Sequence, residues 1–385
     1  MKKLLCVLLV FALAIPAFAQ TLKVTGTAPT VGGTNQPLVN LLNAKLKNDT
    51  FQDQLNELIR EFTFDSPTKF LQGMGNSSVY ASHGATTRGY GGYKIFSATI
   101  GTTIGLQLPE SLFSILSDPE GSLDSFTNDI KNDGDIKFGF SPNLFNINVG
   151  LNMGVFKFIP QRLGILKRDN LYVGLRVGYF KLPTGLFEGV SYSSFTLGTT
   201  VNYQIIPTVG LGNFIKWRGL NVGTGFIYNG ASASYTVPVE VAPKDFSVLY
   251  LGTDYHATLN MDPKFQLNFN EKTFTIPLEA VTAIKLLIFN IPLGLGVDIA
   301  FGKTSVSGGV TSDIRLTNIS SPDFYQATKG DLKVSGEISN SPSVFNFKIM
   351  TGLGINAGPV VFDVPLTIYP AVNGYTVGIT AGAVY

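Results

Sequence analysis

The sequence predicts an all-β fold: a transmembrane antiparallel β-barrel of about 14 strands with a small N-terminal plug, part helical and part irregular. Three observations predict it. An export signal opens the chain. Long segments from Lys94 onward alternate apolar and polar residues. The composition is too apolar, and too poor in charge, for an ordinary soluble domain. Of the 385 residues, 44% are hydrophobic and 14% charged, against about 25% charged in typical soluble domains. The mean hydropathy is +0.23, yet no run of about 18 apolar residues follows the signal. Strands that show every second side chain to lipid reconcile the two facts.

The signal occupies residues 1–19. Lys2 and Lys3 precede an apolar run from Leu4 to Ile15, and Ala17 and Ala19 place small residues at the cleavage point. The mature chain is expected to begin at Gln20. Cys6, the sole cysteine, lies within the signal, so no disulfide and no cysteine metal site is expected afterwards. Without Lys2 and Lys3, 26 basic residues face 26 acidic ones. That balance lacks the basic footprint of a nucleic-acid binder.

Residues 20–93 are expected to form a leader and a plug. Residues 20–36 are rich in Thr, Gly and Pro and read as a flexible leader. Leu38, Leu41, Leu42, Leu46, Leu55, Leu58, Ile59 and Phe62 recur at helical spacing, broken at Asn48-Asp49-Thr50. Residues 63–93 hold many Gly, Ser and Thr and read as irregular. So long a stretch of that kind in a compact domain points to function.

From Lys94 to Tyr385 the period is two. Phe96, Ala98, Ile100, Ile104, Leu106 and Leu108 oppose Ser97, Thr99, Gly101, Thr103, Gly105 and Gln107. Phe145, Ile147, Val149, Leu151, Met153 and Val155 oppose Asn146, Asn148, Gly150, Asn152 and Gly154. Similar segments fall at 171–181, 193–205, 218–228, 254–260, 264–270, 273–287, 291–302, 332–338, 344–357, 360–368 and 374–385. Stretches 229–253 and 303–331 are ambiguous. The apolar parity of the clearest strands carries no charge away from their ends. A Lys or Arg on a lipid face at mid-depth costs about 2–4 kcal/mol. Pro277, Pro292 and Pro365 sit in Ile/Val-Pro-Leu triplets, which suits strand starts and bulges. A strand pattern ending on Tyr385 resembles the C-terminal signal read by the barrel-assembly machinery, so residues 374–385 are expected to meet that machinery. An even strand count puts both termini in the periplasm and makes 109–135 a long external loop. The expected location is the outer membrane, in contact with its lipid.

Catalytic signals are sparse. His83 and His256 are the only histidines, and neither has the local partners of a triad or a zinc site. Neither an enzyme nor a cofactor is expected. The inward parity offers mostly Thr, Ser, Asn, Gly and Gln, with Arg176, Glu279, Lys285, Asp298, Lys333 and Glu337 as exceptions. A wide ion-selective pore uses rings of charge. A weakly charged barrel behind an apolar plug better suits a neutral or apolar solute.

Phe70-Leu71-Gln72-Gly73-Met74-Gly75-Asn76-Ser77-Ser78-Val79-Tyr80-Ala81-Ser82-His83-Gly84-Ala85-Thr86-Thr87-Arg88-Gly89-Tyr90 resembles the plug-to-barrel junction of FadL-like outer-membrane proteins, the long-chain fatty-acid channels. The resemblance extends to layout: plug, about 14 strands, long first external loop. No Asn-Pro-Ala motif of that family's plug is found here. The resemblance implies uptake of a hydrophobic small molecule such as a fatty acid, gated by the plug. It implies Phe64, Phe70, Leu71, Met74, Val79 and Tyr80 as apolar ligand contacts, and His83 and Arg88 as partners of a ligand carboxylate. The competing readings are a general or substrate-selective porin, and a surface-exposed adhesin-type barrel without transport.

Overall fold

The computed structural model describes residues 23–47, 68–82, 93–118, 121–122, 136–183, 185, 189–212, 214–238, 241–320 and 324–385. The signal segment, Phe64, His83 and Arg88 lie outside the described residues. In chain order the elements are β1 (Lys23–Thr27), β2 (Thr30–Gly33), helix α1 (Gln36–Lys45), helix α2 (Thr68–Ala81), β3 (Phe96–Gln107) and helix α3 (Leu112–Ser117). There follow β4 (Gly139–Asn152), two short strands β5 (Arg162–Leu163) and β6 (Leu166–Lys167), β7 (Leu171–Lys181), β8 (Val190–Ile206) and the short β9 (Val209–Gly210). The long strands come next: β10 (Ile215–Pro238), β11 (Lys244–Tyr250), β12 (Thr253–Leu286) and β13 (Phe289–Thr317). Last are β14 (Phe324–Thr328), β15 (Gly330–Asn340), β16 (Phe345–Ala357), β17 (Val360–Tyr369) and β18 (Gly374–Val384).

Fourteen strands share one antiparallel sheet. It closes on itself through β13, β16, β17, β18, β3, β4, β7, β8, β10 and β12, which returns to β13. The fold is a transmembrane β-barrel. The remaining strands extend the wall instead of joining the ring. β11 continues the line of β10 along the edge of β12. β15 and β16 together line the free edge of β13, with β15 pairing its upper part and β16 its lower part. β12 and β13 thus rise well above the ring, and β11, β15 and β1 pair with that projection.

The side chains show where the lipid ends. On β13, outward residues Phe289, Ile291, Leu293, Leu295, Val297, Ile299 and Phe301 are apolar, and the next outward residue is Lys303. That run rises about 40 Å along the strand. At a tilt of about 45° it spans roughly 28 Å, close to the hydrocarbon thickness. On β12 the outward series runs Leu286, Ile284, Thr282, Ala280, Leu278, Ile276 and Phe274, then turns polar at Lys272. Ile100, Ile147, Leu175, Leu197 and Ile379 continue the apolar belt around the ring, each about half exposed. An exposed apolar belt of this extent is a lipid contact.

Above Lys272 and Lys303 the pattern inverts. Outward positions are now Asn270, Asn268, Gln266 and Lys264 on β12, while the inward Phe269, Leu267 and Phe265 are buried. The projection therefore folds by soluble-protein rules, with a dry inner face. Leu38, Val39 and Leu42 of α1, with Val31 and Phe324, cover that face against Phe246, Leu259, Ile314 and Leu332. Residues 23–33, expected to be a loose leader, are thus strands: β1 pairs with β15, and β2 with β14. Asn35 caps α1 by accepting from the Leu38 amide at 3.4 Å, with Pro37 in the first turn.

The helix α2 is a second departure. Gly73, Gly75 and Asn76 are poor helix formers, so the sequence reads the region as irregular. Small residues are what let a helix fit inside this wall. A Cβ on Gly73 would strike the Phe138 backbone, and a Cβ on Gly105 of β3 would strike the Ser77 carbonyl. Close approach of backbone to backbone replaces the propensity that is missing.

The described ends of the chain lie at different levels of the barrel, and the N-terminus itself is outside the described residues. The amides of Lys94 and Ile95 donate to the Tyr385 carbonyl at 2.9 and 2.7 Å, so the barrel begins and ends at one rim, called here the terminal rim. Lys23 pairs with Ser335 beyond the far rim. Between them α2 descends the lumen. The even ring returns the chain to its own rim, and the crossing inside the lumen puts the described N-terminal strands at the opposite end from Tyr385. The three prolines sit inside strands, not at strand starts. At Pro277 the register with β10 lapses, and at Pro292 that with β16, which suits a residue with no donor.

Candidate functional site

The candidate site is the lumen and its mouth at the far rim. Inward positions of the ring are polar, as alternation demands once the other face meets lipid: Thr99, Thr103, Gln107, Asn146, Arg176, Thr196, Asn229, Thr273, Thr275 and Asn290 are all buried. Helix α2 stands among them. Barrel donors take up the carbonyls at its C-terminal end, which have no partner within the helix. Thr376 Oγ1 donates to the Tyr80 carbonyl at 3.1 Å and Thr103 Oγ1 to the Ala81 carbonyl at 3.0 Å. The Arg176 guanidinium donates to the Ser82 carbonyl, which also sets a cation at the negative end of the helix dipole. Asn229 Nδ2 donates to Ser78 Oγ at 2.6 Å, and the Ser343 amide to Asn76 Oδ1 at 2.7 Å.

The predicted contacts of α2 divide between two levels. Phe70, Leu71 and Met74 meet Phe265, Leu267, Phe269, Val306, Val310 and Ile338 in an apolar collar at the mouth. Val79 and Tyr80 lie deeper, with Ala300 and Tyr369. There the Tyr80 ring stacks on Tyr369 at 3.8 Å, and its hydroxyl donates to Gln107 Oε1 at 3.1 Å.

Behind Tyr369 lies a buried charge cluster. Its hydroxyl donates to Asp298 Oδ2 at 3.0 Å. Lys348 Nζ lies 2.7 Å from Asp298 Oδ1 and also pairs with Glu279. All three charged groups are almost wholly buried. The sequence reading placed Asp298 and Glu279 inward but overlooked Lys348. The signal was available: Lys348 shares its parity with Asn346, between the outward Phe347 and Ile349. Conversely, Lys333 and Glu337 do not face the lumen. They point outward from β15, above the belt, because the inversion exchanges which parity is polar.

Two openings are lined by described residues. A cavity of about 60 Å³ lies beside Arg176, Asn148 and Asn202. A cleft of about 480 Å³ opens at the terminal rim, lined by Tyr93, Lys94, Asn152, Arg168, Asp169 and Tyr172. The larger apolar cluster around α2 is the collar at the mouth, with a smaller one at Val79 and Tyr80 below it.

A family model described as Lsa36-like matches residues 42–385. The chain belongs to the Lsa36-like family. No curated protein matches it. Among solved structures, this Lsa36-like barrel is similar to the translocator domain of the autotransporter NalP from Neisseria meningitidis, at 7% identity and a TM-score of 0.25, covering 89% of this chain and 100% of that one. It is also similar to the CymD monoaromatic hydrocarbon channel, at 8% identity and a TM-score of 0.25, covering 82% and 98%. LpxR from Salmonella typhimurium matches at 8% identity and a TM-score of 0.21, covering 74% and 100%.

Proposed function

We propose that this Lsa36-like protein is an outer-membrane channel for small molecules with an apolar body, held shut by α2. The observation that carries the reading is the collar of Phe70, Leu71 and Met74 against Phe265, Leu267 and Phe269, set above a polar shaft that the helix fills. Apolar lining with a few polar groups is the usual character of a small-molecule site. The resemblance to FadL-like proteins makes long-chain fatty acids the candidate class, with His83 and Arg88 as candidate partners of the carboxylate. The terminal rim is assigned to the periplasm. Its connections after β12 and β16 are two residues long, whereas β3 and β4 are joined at the far rim by residues 108–138, and short turns mark the periplasmic side of such barrels.

Two measurements test the reading. Purified protein is titrated with a radiolabelled long-chain fatty acid, and Met74→Glu is expected to lower retention about tenfold, which corresponds to about 1.4 kcal/mol. In planar bilayers the wild type is expected to be non-conducting and a variant lacking residues 68–82 to conduct. A large stable pore in the wild type would defeat the plug, and unchanged retention in Met74→Glu would defeat the collar.

One observation favours a second reading. β1, β2 and α1 build a covered projection at the rim away from Tyr385. In that reading the barrel anchors an external domain that binds partners at the cell surface without transport. Fatty-acid uptake indifferent to Met74→Glu, with surface binding lost on removal of residues 23–47, would favour it over the channel.

A further inference from the structure

The outward faces of β12 and β13 change character at a single level. Phe274 and Phe301 are register partners, and so are the next outward residues, Lys272 and Lys303. Phe274 lies 5.0 Å from Tyr228 and 5.7 Å from Phe226, ring centre to ring centre. Two lysines are therefore paired in register next to an aromatic floor, at the level where the outward face turns from apolar to polar.

Like charges placed directly opposite on one face of an antiparallel pair repel each other. Among the described residues nothing relieves this pair fully. Lys303 Nζ has Glu337 Oε1 at 3.3 Å, with both side chains more than half exposed. Lys272 makes no ion pair and no side-chain hydrogen bond among the described residues. Its partner on the other edge is Gly230, which leaves that flank without a side chain. Lysine stems lie along apolar surface while their heads seek anions at the interface.

We propose that Lys272 and Lys303 form a binding site for the phosphate-bearing headgroup of a membrane lipid, whose acyl chains lie over Phe226, Phe274 and Phe301. The bound phosphate neutralises the pair, and the aromatic floor holds the chains. The site stands apart from the channel reading, because it lies on the outer wall and involves neither α2 nor the lumen.

The test is native mass spectrometry of the purified full chain in detergent, titrated with phosphatidylglycerol and, separately, with phosphatidylcholine. The wild type is expected to retain phosphatidylglycerol about tenfold better. The double variant Lys272→Gln/Lys303→Gln is expected to lose that preference while keeping its circular dichroism and heat-modified gel shift. A second double variant, Lys264→Gln/Lys333→Gln, removes the same charge from the same outward face higher up and is expected to keep the preference. Equal loss in both variants would reduce the effect to net charge and overturn the site. Retention in the first variant would overturn it directly. Displacement of the lipid by an equal concentration of inorganic phosphate would overturn the lipid assignment.

Discussion

Lys348 has its ammonium between Glu279 and Asp298 inside a protein wall, and Tyr369 links that cluster to Tyr80 of α2. Removing one member of a buried ion cluster leaves the others uncompensated, typically at about 3–5 kcal/mol, whereas replacing the whole cluster with apolar groups is often neutral. Lys348→Met is therefore expected to lower stability by that amount in urea unfolding. The triple variant Lys348→Met/Glu279→Leu/Asp298→Leu is expected to recover most of it. A triple variant as unstable as the single one would show that the cluster's packing, not its charge balance, is what the fold requires. If α2 holds the proposed channel shut, Lys348→Met is also expected to raise the frequency of openings in bilayer recordings, since Asp298 holds Tyr369 and Tyr369 stacks on Tyr80 of α2.

At the scale of elements, β13 obeys two rules along one length. Below Lys303 its outward residues are apolar because lipid surrounds them; above, they are polar because water does. Leu293→Arg is expected to cost about 2–4 kcal/mol, the usual cost of a cation on the lipid face near mid-depth. Ser307→Arg, seven outward positions higher on the same strand, is expected to cost less than about 0.5 kcal/mol. Unfolding in lipid vesicles measures both, and equal costs would mean that the belt does not end at Phe301. The inversion also explains an error of reading. Residues 264–270 and 273–287 look like separate strands because the apolar parity changes between them, yet β12 runs unbroken from Thr253 to Leu286. Alternation reports which face is wet, and the wet face changes where the strand leaves the membrane.

For the molecule as a whole, the consequence is topological. An even ring returns the chain to its own rim, and α2 adds one more crossing. An epitope inserted before Lys23 is therefore expected to be accessible to antibody on intact cells, and one inserted at Gly164 only after permeabilisation. Both epitopes accessible on the same side would mean that α2 does not pass through the barrel in the cell. The cover of α1 over the projection gives that region its own core beyond the ring.

Period-two patterning and the missing charge on one parity were enough to read a membrane barrel and most of its strand positions, because the contrast between lipid and lumen is written at every second residue. Phe70, Leu71 and Met74 were legible as apolar residues of the N-terminal segment, but not which wall they would meet. Ring closure on ten strands, the lumen helix and the separation of the ends came only from tertiary structure. Those features depend on pairings between distant segments: Gly105 against Ser77, Lys348 against Glu279 and Asp298, β1 against β15. Local propensity argued against a helix at Gly73 and Gly75. Space inside the wall decided otherwise, since only small residues let a helix backbone lie against the strands.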